Sequence, residues 1–387
     1  METNNEADFL NAGKDKYRTP LIRCPSNSQI GNSLNKLAET RFMVNQSDDA
    51  LRFGIYLPSY VIPGKSAPTV DFLQDFARRA EDVGFDSLWV IDHLFDAPPS
   101  YRVVYMEPIT SLALVAGATR HIRLGTGILI LPLRDPVVTA KALANLDVTT
   151  GGRLIFGAGL GWDEKEFAAC QIDKTTRGRR MDEMLDIVKG LWTHETFSYQ
   201  GEFFEIRDVA LTPKPLQRPH PPILIAGGTV PTGTSQHITS AKGYTPNRSF
   251  ARIGRIGDGL MTAYRSSPGL DMSCLTASWD RVCVAAREHG RDPSALQFAH
   301  QDHLFIDMDP SARHLRDVFE KFTENDFEQT ASIYLMGHPE DLIPRIQARI
   351  DAGVQELTFN LLSPDPEQLD LFMNEVRPHL VPRARND

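Results

Sequence analysis

Cysteine is scarce in this chain of 387 residues: only Cys24, Cys170, Cys274 and Cys283 occur, without a C-x-x-C pair or a histidine cluster at metal-ligand spacing. Neither a disulfide framework nor a zinc site has the spacing it needs, so no metal is expected and the thiols are expected to be reduced. Long apolar runs are missing too. None reaches the ~18 residues that a membrane-spanning helix requires. The opening METNNEADFLNAGKDK also lacks the apolar core of a signal peptide. A cytoplasmic protein without a membrane partner is the expectation. Positive charge is in deficit, with 41 Lys and Arg against 50 Asp and Glu and a net charge of −9, which disfavours nucleic acid as a ligand. There is no P-loop, no G-x-S-x-G elbow and no G-x-G-x-x-G opening a helix after a strand, so a dinucleotide-binding Rossmann unit is unsupported.

What remains has the balance of an ordinary globular protein, 41% hydrophobic and 24% charged. Residues 1–50 have few aromatics, little periodicity and many Asn, Ser, Asp and Lys. Such a composition buries too little to offset its ordering entropy, and a flexible extension is expected there. From residue 51 to 387 short apolar strands alternate with amphipathic helices, the pattern of βα units around a parallel sheet. Strands are expected at RFGIYLP (52–58), SLWVI (87–91), IRLGTGILIL (122–131), RLIFGAGL (153–160), PILIAGG (222–228), DGLMT (258–262), LQFAHQDHLFID (296–307) and ELTFN (356–360). Between them, Leu73, Phe76, Ala77, Ala80 and Val83 share one face of a 3.6-residue period with Gly84 as the stop. Asp135 and Pro136 read as N-cap and first helical residue of the helix after the third strand. TFSYQGEFFEI alternates about a Gln-Gly turn like a hairpin, and Pro344 is expected to kink its helix. Eight strand-helix units make an α/β fold of the (β/α)8 TIM-barrel class with insertions, as a single domain; an open doubly wound sheet is the alternative. The 18-residue stretch TVPTGTSQHITSAKGYTP after the fifth strand is the largest insertion. A connection of that length is usually functional or mobile, which makes 229–246 a candidate lid.

In such barrels the carboxyl ends of the strands form the active site. Unusual residues gather there in four consecutive strands. The second ends in Asp92-His93, the third contains Gly125-Thr126-Gly127, the fourth ends in Gly159-Leu160-Gly161-Trp162, and the fifth ends in Ala226-Gly227-Gly228. Glycine at a strand end lets a ligand lie against bare backbone, whose N–H groups can hold ring or phosphate oxygens. A flat, phosphate-bearing cofactor suits that floor. Each feature has a plainer reading: a strand glycine is often a bulge, Trp162 packs at the barrel top, and His93 hydrogen-bonds nearby backbone while Asp92 orients it.

Taken together, these pieces resemble the bacterial luciferase-like family of flavin and deazaflavin oxidoreductases. The resemblance rests on GFDSLWVIDHLF, EPITSLALVAGATRHIRLGTGILILPLRDPVVTAKALANLD, TGGRLIFGAGLGWDEKEF, RGRRMDEMLDIVKGLW with FSYQGEFFEI, and PKPLQRPHPPILIAGG, in the family's order. It implies an isoalloxazine-type ring at the barrel mouth and a homodimer. It implies that His93 is the active-site histidine beside the reduced ring, with Asp92 before it as the second catalytic candidate. Gly127-Ile128 falls where the family has a non-proline cis peptide behind the ring. Thr126, Gly127, Ile128, Gly159, Gly161, Trp162 and Ala226 to Gly228 fall on the cofactor floor. Leu160 stands where some deazaflavin-dependent sugar-phosphate dehydrogenases of the family carry glutamate, which argues against that substrate. The first expectation is a monooxygenase that uses reduced FMN and oxygen on a small organic substrate, with the flavin supplied by a separate reductase. The alternative is hydride transfer with a reduced 8-hydroxy-5-deazaflavin coenzyme and no oxygen. In both, His93 handles a proton. A flavin-binding protein without catalysis is the third possibility, against which His93 itself speaks.

Overall fold

A computed structural model describes residues 51–98, 100–227, 246–263, 272–309, 311 and 313–383. The extension at 1–50, with Cys24, and the segment 228–245, with Gly228 and nearly all of the expected lid, lie outside the described residues.

Eight parallel strands close into a barrel: β1 (Arg52–Tyr56), β2 (Ser87–Val90), β3 (Arg123–Thr126), β4 (Leu154–Gly159), β5 (Ile223–Ala226), β6 (Gly259–Ala263), β7 (Gln297–Ile306) and β8 (Glu356–Leu361). The ring is shut by β1 pairing with β8, Gly54 opposite Thr358, while β5 pairs with β4, Leu224 opposite Gly157. Helices alternate with the strands: α1 (Val70–Val83), α2 (Pro108–Ala116), α3 (Pro136–Thr150), α4 (Glu164–Ala169), α5 (Arg177–Thr193), α6 (Pro246–Ile256), α7 (Ser273–Glu288), α8 (Leu315–Phe322), α9 (Pro339–Asp351) and α10 (Glu367–Leu371). The expected (β/α)8 architecture is the observed one.

Local chemistry starts and stops these elements where the sequence suggests. Thr69 Oγ1 accepts the Phe72 N–H to begin α1, and Gly84 ends it in the left-handed region at φ 98°. Asp135 Oδ1 accepts the Val137 and Val138 N–H groups at the head of α3, just before Pro136. Both devices satisfy helix-end groups that have no partner within the helix.

Alternation along the strands separates two apolar regions. Phe53, Ile55, Leu88, Val90, Phe156, Ile225, Phe298 and Phe359 face the helix layer. Tyr56, Trp89, Ile155, Leu224, Met261 and Ala299, one from each of six strands, pack inside the barrel. Trp89 occupies the centre because its neighbours leave it room: a Cβ on Gly125 would lie 2.3 Å from the indole ring. Beneath it, Trp89 Nε1 donates to Ser87 Oγ (2.7 Å), Ser87 Oγ donates to Glu356 Oε1 (2.5 Å), and Gln297 Nε2 donates to the other oxygen of the buried Glu356. The amino-terminal end of the barrel is thus plugged by satisfied polar groups, and the open chemistry is left to the other end.

Two elements differ from expectation. The run 122–131 is not one strand: β3 stops at Thr126, and Leu129–Ile130 pairs separately with β4 after a cis peptide at Gly127-Ile128. The turn of the hairpin Phe197–Gln200 and Glu205–Val209 is wider than Gln-Gly, because the Glu183 carboxylate on α5 accepts the N–H groups of Glu202, Phe203 and Phe204. The helix that contains Pro344 runs continuously from Pro339 to Asp351.

Candidate active site

His93 follows β2 and is 8% exposed. Its Nδ1 lies 3.1 Å from Glu166 Oε1 on α4, and the same oxygen accepts the Leu94 N–H at 2.7 Å. Glu166 is fully buried, and its Oε2 has no hydrogen-bond partner among the described residues. The imidazole sits in an aromatic frame, with ring centres of Tyr101 at 5.5 Å, Trp162 at 5.6 Å and Tyr105 at 6.1 Å. Across the mouth, β7 brings a second imidazole, His303, against Phe322 and Tyr334.

Asp92 adjoins His93 but is engaged elsewhere. Its Oδ2 accepts the Ile130 N–H (2.8 Å) and its Oδ1 pairs with Arg134 Nη2 (3.0 Å); Arg134 also reaches Glu107, the N-cap of α2. Burial raises the Asp92 carboxyl above its ordinary value, outweighing the Arg134 guanidinium and the amide that lower it. The residue ties the end of β2 to the segment behind the cis peptide.

The floor is built mostly by backbone. Tyr56, its phenol kept protonated by burial, donates to the Gly127 carbonyl oxygen (3.1 Å), and a Cβ at Gly127 would lie 2.2 Å from that hydroxyl. Thr126 Oγ1 donates to the Gly157 carbonyl oxygen (2.7 Å) and accepts the Gly157 N–H (3.0 Å), so the hydroxyl of this fully buried residue stitches β3 to β4 and is not free for a ligand. The space over Gly159 is filled by Ile128, whose Cδ1 would be 2.4 Å from a Cβ there. Gly161 holds φ 72° and turns the chain toward half-buried Trp162. Ile128, Ala226 and Gly227 are half-buried at the same rim. His93, Trp162 and these floor positions therefore come together; Asp92 stands behind them.

Two side chains escaped the sequence reading. Glu166 lies in DEKEF, where three acids in four residues look like a solvated helix start; only the buried turn of α4 distinguishes it. Arg177, the first residue of α5, is 6% exposed, and its one hydrogen bond among the described residues goes from Nη1 to the Lys174 carbonyl oxygen. Burial lowers its pKa with no carboxylate opposing. A buried cation that has no counter-ion among the described residues, at a helix start, suits an anion. Among the described residues no group of three or more His, Cys, Asp or Glu can hold a metal, Cys170, Cys274 and Cys283 are free thiols, and no helix is long and apolar enough to cross a membrane.

The family model described as luciferase-like monooxygenase matches residues 51–356. The chain belongs to that family. At family level it is a flavin- or deazaflavin-dependent oxidoreductase. Over 326 residues it is 29% identical to an F420-dependent glucose-6-phosphate dehydrogenase of Kineococcus radiotolerans, covering 81% of this chain and 93% of that one. An FMNH2-dependent dimethylsulfone monooxygenase of Pseudomonas putida is 37% identical over 164 residues, 41% of this chain and 44% of the relative. Among solved structures, a monooxygenase from Streptomyces bottropensis superposes with a TM-score of 0.68 at 23% identity, over 85% of this chain and 99% of that one, a likeness of fold.

Proposed function

We propose that this protein is a deazaflavin-dependent oxidoreductase that exchanges a hydride with a small organic substrate, His93 carrying the accompanying proton. The observation that supports it most is the reach of the likeness. The F420-dependent relative aligns along 93% of its own length, whereas the FMNH2-dependent one aligns along 44%. When bound, a deazaflavin supplies two electrons as hydride and needs no oxygen.

The residues fit such a group. Ile128, Ala226 and Gly227 offer a backbone floor for a flat ring with Gly127 packed behind it, Trp162 offers an edge beside it, and the Arg177 guanidinium, which has no carboxylate partner among the described residues, suits a phosphate of the coenzyme. His93 Nδ1 is occupied by Glu166, so Nε2 is the atom that accepts or donates the substrate proton. The aromatic frame of Tyr101, Tyr105 and Trp162 keeps water from the ring. Asp92 is a positioning residue that holds Ile130 and Arg134 in place. Leu160, half-buried against the core where some deazaflavin-dependent sugar-phosphate dehydrogenases of this family carry glutamate, favours a substrate other than a sugar phosphate.

A second reading, an FMN-dependent monooxygenase fed by a separate reductase, is favoured by the higher local identity of 37% to the dimethylsulfone enzyme. Incubation of the protein with oxidised deazaflavin coenzyme and a panel of secondary alcohols and aldehydes under nitrogen distinguishes the two. Bleaching of the coenzyme supports the proposal. Turnover seen only with reduced FMN in air overturns it.

A further inference from the structure

Among the described residues most buried carboxylates are satisfied on both oxygens, Asp307 at the end of β7 and Glu166 being the two that keep an unpartnered oxygen. Asp147 receives the Leu216 and Gln217 amides and the Gln217 side chain, and Asp92 receives Ile130 and Arg134. Glu166 does not follow them. It is fully buried, all its described hydrogen bonding falls on Oε1, and Oε2 has no partner among the described residues. A carboxylate kept for stability alone is poorly served by an orphan buried oxygen, which costs free energy that a well-packed apolar residue there would avoid.

What Glu166 does hold is one edge of His93. Its Oε1 accepts the Leu94 N–H, and an ionised carboxylate can only accept, so in that state the proton between Oε1 and Nδ1 belongs to the imidazole. We propose that Glu166 is a positioning residue: with Leu94 as its anchor, it locks His93 as the Nδ1–H tautomer and presents the Nε2 lone pair to the barrel mouth. A free neutral imidazole interconverts between tautomers; here the wrong one would set two lone pairs face to face at 3.1 Å. The carboxylate also faces the ring at the moment it carries a second proton. Since His93 is flanked otherwise by the rings of Tyr101, Tyr105 and Trp162, and the charge of Asp92 is turned to Arg134, no other described group does this. The use made of Nε2 rests on the proton-transfer role given to His93 above; the tautomer does not.

The test separates the two. Long-range proton–nitrogen NMR of the 15N-labelled protein without coenzyme, at alkaline pH, reads the protonated nitrogen of each histidine, with H93Q assigning the signal. The expected result is Nδ1–H in the wild type, retained in E166Q, whose amide oxygen can still accept from both donors, and lost in E166L. With coenzyme and substrate, E166L lowers kcat by at least ~10-fold with KM changed less than ~3-fold, and E166Q recovers part of it. An Nε2–H tautomer in the wild type, which needs no variant to fold, overturns the proposal; so does an unchanged Nδ1–H signal in folded E166L. Should H93Q itself keep full turnover, the proton role of His93 fails while the tautomer assignment stands.

Discussion

Replacing Arg349 with methionine should cost this protein more stability than any change at its surface. Arg349 on α9 and Asp302 on β7 are each about 1% exposed, and the guanidinium binds both carboxylate oxygens, at Nη2 with a distance of 3.2 Å and more closely at Nε. Burial raises the Asp302 carboxyl, but the charge of Arg349 and the His300 ring outweigh it and bring it down to about 2, from an ordinary 3.8. That difference corresponds to about 2 kcal/mol at ~1.4 kcal/mol per pH unit. Because the folded value lies below the unfolded one, this stabilisation is present above about pH 4 and is lost as the pH falls through about 2. R349M removes the partner and leaves a buried carboxylate with His300 Nε2 at 3.2 Å, so the expected loss at neutral pH is larger, about 3–5 kcal/mol. Urea denaturation followed by tryptophan fluorescence measures it. D302L/R349M, which removes both charges, should regain most of the loss. The reasoning is refuted if R349M lies within ~1 kcal/mol of the wild type, or if the double variant is no better than the single. His303 follows Asp302 in β7 and packs on Phe322 and Tyr334, so the same clamp sets one wall of the mouth.

Three further outcomes are expected. H93A should lower turnover at least ~100-fold while coenzyme affinity changes little, checked by steady-state kinetics beside a binding titration; unchanged turnover removes His93 from the chemistry. R177M should weaken coenzyme binding at least ~10-fold yet leave the melting temperature equal or higher, since it deletes a buried charge that no carboxylate balances. Weakened melting with intact affinity would make Arg177 structural instead. G125A places a Cβ 2.3 Å from the Trp89 ring and should destabilise the barrel by about 1–3 kcal/mol in a thermal or urea melt; W89L in the same chain should relieve part of it, and an additive pair of losses would contradict the clash.

The strands were legible because each is a short apolar run between turn or cap residues, and Asp135 starts and Gly84 stops a helix by the side-chain and backbone chemistry their types suggest. His93 was legible from its place, a titratable residue at the end of a buried strand. Three things were not. The end of β3 before Gly127-Ile128 has no mark in the apolar pattern of IRLGTGILIL, and only the family resemblance pointed to the cis peptide found there, after which Leu129–Ile130 pairs separately with β4. The glycines at 125 and 127 read as room for a ligand, yet much of their room is taken by Trp89 and Tyr56, residues distant in sequence. Glu166 and Arg177 carry no local signal, because an acid in a helix start and a base in RGRR are ordinary on a solvated face. Their meaning comes from burial, which depends on how α4 and α5 pack.

The most direct test of the central claim is an anaerobic titration of the purified protein with reduced deazaflavin coenzyme and, separately, with reduced FMN, each then mixed rapidly with oxygen. The deazaflavin is expected to bind at least ~100-fold more tightly, about 2.7 kcal/mol, with oxygen leaving the bound coenzyme unchanged. Tight binding of reduced FMN, with oxygen consumed on mixing and no measurable affinity for the deazaflavin, would contradict it.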